Sequence, residues 1–334
     1  MKSHHFAAAL AALFSLAACA ENPVAPTSDA GNTVVSPSFS RGDAGRSYTF
    51  TRIDVPGAFQ TVPSGINARG VVVGYYFQGT GCPSAATCAV KGFILKHGVF
   101  TTVVYHNAAG TEAPFTQLRG VGPSGKIVGS YRMAGEPTVN LHGFLLTTRG
   151  EFVPVDYPGH TNSVAQRILP NGTIIGCYHD GDQMGTMHGI VRNKHGFSAF
   201  DMATTMHNGA TPNAHRITGR FTDGTKGRAY VLEHGVFTPF DAPNSVSTDA
   251  WDMSPSGTIV GLFVDAARQT HGYVLERGEF TTINYPNSVF TDVFGINASG
   301  DIVGKFRETA TGPFHGYVAT RETEDTEDTE DTED

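Results

Sequence analysis

Six positions along the chain place a cationic or imidazole side chain ahead of a small residue and an aliphatic run: Lys91, His142, His188, Arg228, His271 and His315. Imidazole is the commonest metal ligand and the usual proton carrier near neutral pH. A recurring His therefore raises two chemistries, a shared metal ion or general acid–base catalysis. Acceptors recur at a matching interval. Asp201 follows His188 by 13 residues, as Asp241 follows Arg228 and Asn284 follows His271, and Asp156 follows His142 by 14. Which chemistry applies depends on where these residues sit.

The positioning elements are repeats. The segment TDVFGINASGDIVGKF followed by HGYVATRE is echoed by TDAWDMSPSGTIVGLF with HGYVLERGEFTTINYP. Four earlier units read GINARGVVVGYY, GVGPSGKIVGSY, ILPNGTIIGCY and the weaker AHRITGRF, each with its own K/H/R-G/A segment. Successive His-equivalent positions are 51, 46, 40, 43 and 44 residues apart. Short β-runs at this period predict propeller blades. Each unit divides into strands a to d. Strand a ends near the GIN segment, and strand b is the IVG-x-[YF] run. Strand c starts at the His position, and strand d is the FTTINY-like run. Turns with Pro123, Pro170 and Pro255 at the second position and Gly125, Gly172 and Gly257 at the fourth have type I chemistry. The first d strand, Tyr48 to Asp54, precedes every a-b-c set, and the last a-b-c set has no d strand after it. The expected architecture is an all-β, six-bladed propeller in which the N-terminal strand completes the last blade and hides two sheet edges.

That architecture decides the histidine chemistry. Equivalent residues on third strands lie roughly 10 Å or more from the axis at a strand spacing of about 4.8 Å. Metal ligands must converge to about 2 Å of one ion, so the ring of His forms no single metal site. Counting through the c–d turn with Glu276 opposite Glu279 puts His271 opposite Asn284, His188 opposite Asp201 and Arg228 opposite Asp241. It brings His142 near Asp156 and, across the closure, His315 near Asp54, while Lys91 faces Val104. The expected role is a cross-strand latch in which the acceptor holds two strand ends together. Recurring Thr61, Thr116, Ser163, Thr248 and Thr291 suit local turn hydrogen bonds. The motif glycines Gly74, Gly129, Gly176, Gly261 and Gly304 suit close contact between blades. Unit four, with Arg228-Ala229-Tyr230, is expected to lack about two residues before strand b.

The ends of the chain carry targeting chemistry. Lys2 is followed by an apolar run from Phe6 to Ala18, too short at about 20 residues per span to cross a bilayer and suited to a signal peptide. Leu16-Ala17-Ala18-Cys19 resembles a bacterial lipobox, which makes residues 1–19 a lipoprotein signal with Cys19 as the acylated residue. Residues 20–47, rich in Pro, Ser, Thr, Asn and Gly, read as a flexible tether, residues 48–322 as the propeller, and residues 323–334 as a disordered acidic tail. The chain carries a net charge of −8, and the tail alone holds eight carboxylates, which leaves the rest neutral. A neutral folded part argues against a nucleic-acid partner. Cys82 and Cys88 share an insertion in the first b–c loop and suit a disulfide of an oxidising compartment. Cys177, on a strand b, reads as a packed thiol.

The H-[GA]-[FY] segment with G-I-N-x-x-G-x-I-V-G upstream resembles the HAF-type extracellular repeat across residues 48–322. That resemblance implies an exported repeat protein and specifies no reaction. Variable b–c and d–a connections emerge on one face, where binding is expected, with His160, His207, Asp249, Trp251 and Asp292 as the side chains to watch. The expected function is a monomeric binding or structural module at the cell envelope. It would be held at the outer membrane, the cell surface or in the periplasm through its lipid, with a glycan or protein ligand and no metal or cofactor. The competing reading is a propeller enzyme, a polysaccharide lyase or glycosidase, using two carboxylates of the long-loop face.

Overall fold

The computed structural model describes residues 38–41, 47–79, 88–180, 186–202 and 204–322. Cys19, Cys82 and the acidic tail lie outside the described residues. Among the described residues there are 25 strands and no helix.

The first unit comprises strands Thr61–Ile66, Val72–Gln78, Ala89–Lys96 and Val99–Val103. The second comprises Phe115–Val121, Ile127–Arg132, His142–Leu146 and Phe152–Pro154. The third is Asn162–Ile168, Ile174–His179, Met187–Asn193 and Gly196–Phe200. The fourth is Thr204–Ala210, Arg216–Thr222, Gly227–Glu233 and Val236–Phe240. The fifth is Ser247–Met253, Ile259–Val264, Thr270–Glu276 and Glu279–Ile283. Each is an antiparallel meander, the arrangement that propeller blades share. Phe290–Ile296, Ile302–Arg307 and His315–Arg321 form three strands of the last unit. Ser47–Ile53 lies antiparallel beside His315–Arg321, with Tyr48 opposite Arg321 and Ile53 opposite Gly316. A further strand, Ser38–Arg41, pairs outside it with Ser38 opposite Phe50. The stretch expected as a tether is therefore strand over these four residues. The outer edge of Ser47–Ile53 offers unpaired backbone groups, and a neighbouring strand satisfies them.

Six apolar clusters lie between successive units, and a seventh lies at the centre. Leu118, Ile127 and Phe144 of the second unit pack with Val73 of the first. Ile66, Val72 and Phe93 of the first pack with Val303 of the last. The central cluster draws Val62, Val164, Met206, Trp251 and Phe294 from inner strands of five units. Burying a Phe, Leu, Ile or Val side chain contributes roughly 1.5–3 kcal/mol relative to leaving it exposed, so the clusters between units supply most of the cohesion.

The motif glycines serve a different purpose from the expected one. Every strand a carries a β-bulge, at Pro63/Gly65, Leu118/Gly120, Ala165/Arg167, His207/Gly209, Ala250/Asp252 and Val293/Gly295. Beside each bulge a strand a carbonyl crowds the facing position of strand b. A Cβ on Gly176 would lie 1.9 Å from Val164 O, and one on Gly304 1.9 Å from Asp292 O. The close approach is within the unit, between its first two strands, and not between neighbouring units.

Unit four also departs from expectation. Its a–b connection is longer by one residue, since Ala210 pairs with Ile217 where Ile168 pairs with Ile174 in unit three. Ala214 sits at φ 55° where the other turns have glycine. The missing residues are in the preceding d–a connection. There Thr205 Oγ1 accepts from Met202 N–H, three residues back, where Thr248 Oγ1 reaches six residues back to Ala242 N–H.

Candidate functional site

The repeated His positions sit where strand c begins, one step beyond the last c–d ladder pair, or two at His142, where the ladder ends at Phe144 opposite Pro154. Gly189 pairs with Phe200 and Gly272 with Ile283. This register puts an acceptor beside each ring. Asp201 Oδ2 lies 2.8 Å from His188 Nδ1 while its Oδ1 accepts from Gly189 N–H at 3.0 Å. Asp156 holds His142 Nδ1 at 3.3 Å and Gly143 N–H at 2.8 Å in the same way. Asp54 holds His315 Nδ1 at 3.0 Å and Gly316 N–H at 3.2 Å. Asn284 Oδ1 lies 2.8 Å from His271 Nδ1, and Asp241 forms an ion pair with Arg228 at 2.9 Å.

A second acceptor that sequence counting missed approaches the other ring nitrogen from the b–c connection. Glu136 lies 3.1 Å from His142 Nε2, Asp180 3.1 Å from His188 Nε2 and Asp265 3.3 Å from His271 Nε2. The hydrogen bond to Asp156, against the opposing effect of burial, raises the His142 pKa, and the charges of Asp156 and Glu136 add to it. Burial pushes His188 down, but hydrogen bonds to Asp201 and Asp180 outweigh it and its pKa also rises. A clamped, proton-retaining imidazole suits a fastener and not a general base. Aromatic rings extend the clamps between units. Tyr157, at the end of unit two, stacks on Tyr178 at 4.1 Å, and Tyr178 stacks on His188 at 4.6 Å. Tyr105 stacks on Tyr131, and Tyr285 on Phe306, in the same manner. The recurring Tyr before Pro and the aromatic two residues after the motif Gly were the signals for this stack.

The residues expected on a binding face are mostly interior. Trp251 is buried against Phe294, with ring centroids 5.1 Å apart. His207 is fully buried with Nδ1 on the Tyr230 hydroxyl, and burial pushes its pKa down to about 3. Asp249 is buried, which raises its pKa, opposed by Arg220 at 3.4 Å. Asp292 is buried opposite Lys305, itself buried against the Phe294 and Phe314 rings. These side chains fail as surface groups because the inner strands close on each other about the axis. His160 alone reaches the surface region, 3.4 Å from Asp180 and against Tyr178. Cys88 is disulfide-bonded, while Cys82, its expected partner, lies outside the described residues. Cys177 is buried with Sγ 3.9 Å from His179 Nε2, and both side chains are fully buried.

At the axis four units place Gly65, Gly120, Gly209 and Gly295 at one equivalent position, and the other two place Arg167 and Asp252 there. Arg167 Nη1 donates to Arg119 O and Gln166 O, both at 2.9 Å, and its Nη2 donates to Trp251 O at 3.2 Å and Phe294 O at 2.5 Å. Its Nε lies 3.1 Å from Asp252 Oδ2, an ion pair that is not a well-aligned hydrogen bond. A Cβ on Gly120 would lie 2.6 Å from Gln166 O and 3.2 Å from the Arg167 side chain. The guanidinium fills the space beside Gly120 and plugs the axis at the floor of a concavity of about 180 Å³, lined by Arg167, Asp252 and the a–b turns of the six units.

A more voluminous concavity lies away from the axis. A cleft of about 1020 Å³ lies between units three and four on the short-turn face. It is lined by the a–b turns at Asn171 and Asn213 and by the hairpins at Lys194 and His234.

Neither a protein-family model nor a curated protein sequence matches this chain. Solved structures do match in fold. A gluconolactonase from Xanthomonas campestris aligns with TM-score 0.50 at 11% identity, over 91% of this chain and all of that one. The β-propeller domain of the Trilobed protease from Pyrococcus furiosus aligns with TM-score 0.49 at 9% identity, over 90% and 97% of the two chains. TolB from Acinetobacter baumannii aligns with TM-score 0.49 at 12% identity, over 74% of this chain and 62% of that one. The chain is an all-β protein of four-stranded sheets whose structural neighbours are β-propellers.

Proposed function

We propose that this chain is an exported, lipid-anchored, six-bladed propeller of HAF-type repeats that binds a ligand at the cell envelope and carries out no turnover. In this reading Ser47–Ile53 is the fourth strand of the sixth blade and the ring is closed. Acylated Cys19 holds the protein at the outer membrane. The state of the carboxylates nearest the axis carries the preference for binding over catalysis. Asp249 and Asp252 are set against Arg220 and Arg167 from other units. A glycosidase needs two carboxyl groups about 5–10 Å apart and open to a sugar, and these are buried and committed to cations. An open concavity of about 1020 Å³ lies among short turns on a rigid scaffold, an arrangement that suits recognition.

The test is mass spectrometry of the native protein from a bacterial membrane fraction. The expected N-terminal peptide begins at Cys19 and carries acyl chains, with residues 1–18 removed. A chain recovered from the soluble fraction with an unmodified Cys19 would overturn the anchored reading.

A further inference from the structure

We infer that the cleft between units three and four is a binding site for an acidic polysaccharide, one bearing uronate carboxylates. This inference rests on the reading of the protein as a binding module. The charge of the cleft is its first support. Arg192, Lys194, His195, His215 and His234 all line it, and no carboxylate does so among the described residues. The folded part as a whole is neutral and its carboxylates are spread through the latches, so a surface with one sign of charge is a local departure. Glu233, next to His234 in sequence, is turned to Arg216 at 3.7 Å. Arg192 and Lys194 carry positive charge at this open groove, which raises the local concentration of anions and favours their retention, and the three histidines add ring nitrogens that can hydrogen-bond.

The remaining lining specifies the kind of anion. Asn171, Asn193 and Asn213 are spaced along the turns that border the groove. Asn171 Oδ1 and Asn193 Oδ1 already accept from Thr173 N–H and His195 N–H, so their amide nitrogens are the groups that can donate to sugar hydroxyls. Phe200 lines the same cleft and is 42% exposed, one of the few large apolar side chains left open to solvent. A flat ring at a polar groove offers a platform for the apolar face of a pyranose. A simple phosphate or a lone carboxylate would use the cations and leave the amides and the ring idle. A chain of charged sugars uses all three, and the cleft is long enough to border on four turns from two units. It opens at the junction where unit four hangs on its shortened d–a connection and carries one extra residue, His215, in its a–b turn. The extra a–b residue sets this junction apart from the others among the described residues.

The probe is a fluorescein-labelled oligogalacturonate of about six units, titrated against the mature full-length chain by fluorescence anisotropy. Neutral maltohexaose and a polyglutamate of matching charge serve as competitors. The expected results are saturable binding that weakens as salt screens the charges and competition by unlabelled oligogalacturonate only. Lys194→Glu and Arg192→Glu are each expected to weaken binding by about tenfold or more, as reversing a contacting charge should, without changing the melting temperature. Phe200→Ala should weaken it by a few fold, and Lys96→Glu, on a hairpin of unit one, should leave it unchanged. Equal competition by polyglutamate would overturn the sugar assignment, and equal competition by maltohexaose would overturn the acidic one. Binding that survives both charge reversals, or that falls equally in Lys96→Glu, would overturn the site. Each of these outcomes leaves the binding-module reading standing. Conversion of the probe to shortened products would overturn that reading together with the inference.

Discussion

Replacing Arg167 by Met removes the axial guanidinium while keeping most of its apolar stem. Two losses follow. Asp252 stays buried without its cation, and breaking a buried pair from one side costs about 3–5 kcal/mol. Four carbonyls, those of Arg119, Gln166, Trp251 and Phe294, lose a donor. The retained stem and local relaxation offset part of this, which leaves a loss of roughly 4 kcal/mol against a total stability of about 5–15 kcal/mol. For a domain of this size the melting temperature should fall by about 8–16 °C. The assay is thermal unfolding followed by circular dichroism for wild type, Arg167→Met, Asp252→Asn and the double variant. The double variant should be more stable than the sum of the single losses predicts, with a coupling of about 1–3 kcal/mol. The effect should also depend on pH in a defined sense. Burial raises the Asp252 pKa and Arg167 is the largest opposing influence. An acid whose pKa is raised in the folded state destabilises it progressively as pH rises above the unfolded value of about 3.9. The gap between wild type and Arg167→Met should therefore be wider at pH 7.5 than at pH 4. A melting temperature within a few degrees of wild type, strict additivity in the double variant, or a gap that widens toward acid would refute the plug.

Two further predictions concern the repeats. Gly304→Ala should fail to accumulate as folded protein, because its Cβ would stand 1.9 Å from a backbone oxygen. Gly172→Ala, with φ +83° and open space around the Cβ, should cost only about 1 kcal/mol; expression and thermal melts of the pair check this. His142 and His188 have raised pKa values, so their clamps contribute stability that is full below the unfolded pKa of about 6.5 and is lost as pH rises through the higher folded value. The double variant His142→Gln/His188→Gln should show a shallower decline in melting temperature between pH 6 and 9 than wild type, and an unchanged decline would remove the charged clamp.

Much of the fold could be read from the sequence because period and turn chemistry are local. The Glu276–Glu279 hairpin count alone set His271 beside Asn284 and His188 beside Asp201. The order of strands along the chain likewise pointed Tyr48–Asp54 toward the strand that begins at His315. What could not be read depends on residues far apart in sequence meeting at one point. Arg167 and Asp252 break a glycine pattern in units three and five, a visible signal, but only the convergence of inner strands turns the two exceptions into an ion pair. Asp249 and Asp292 are expected at the surface because loops usually carry function, while Trp251, which alternates with Asp249, also suits the core. They are interior because strand a is the innermost strand of every unit. Of the second clamp acids, Glu136 and Asp265 precede their His by six residues and Asp180 by eight, a spacing too loose to announce the set.

The plug has a consequence for how such a chain can change over time. Repeat proteins are often remodelled by copying, deleting or exchanging whole units, since each unit resembles the next. Here two units are individually addressed by what they send to the axis. Copying unit one over unit three would bring a fifth glycine to the centre, open a hole and strand the aspartate. Copying unit three over any glycine-bearing unit would press two guanidiniums into space made for one. The number and order of units are thus locked by a single pair of side chains, and the lineage is left free to vary its rim while its centre forbids recombination.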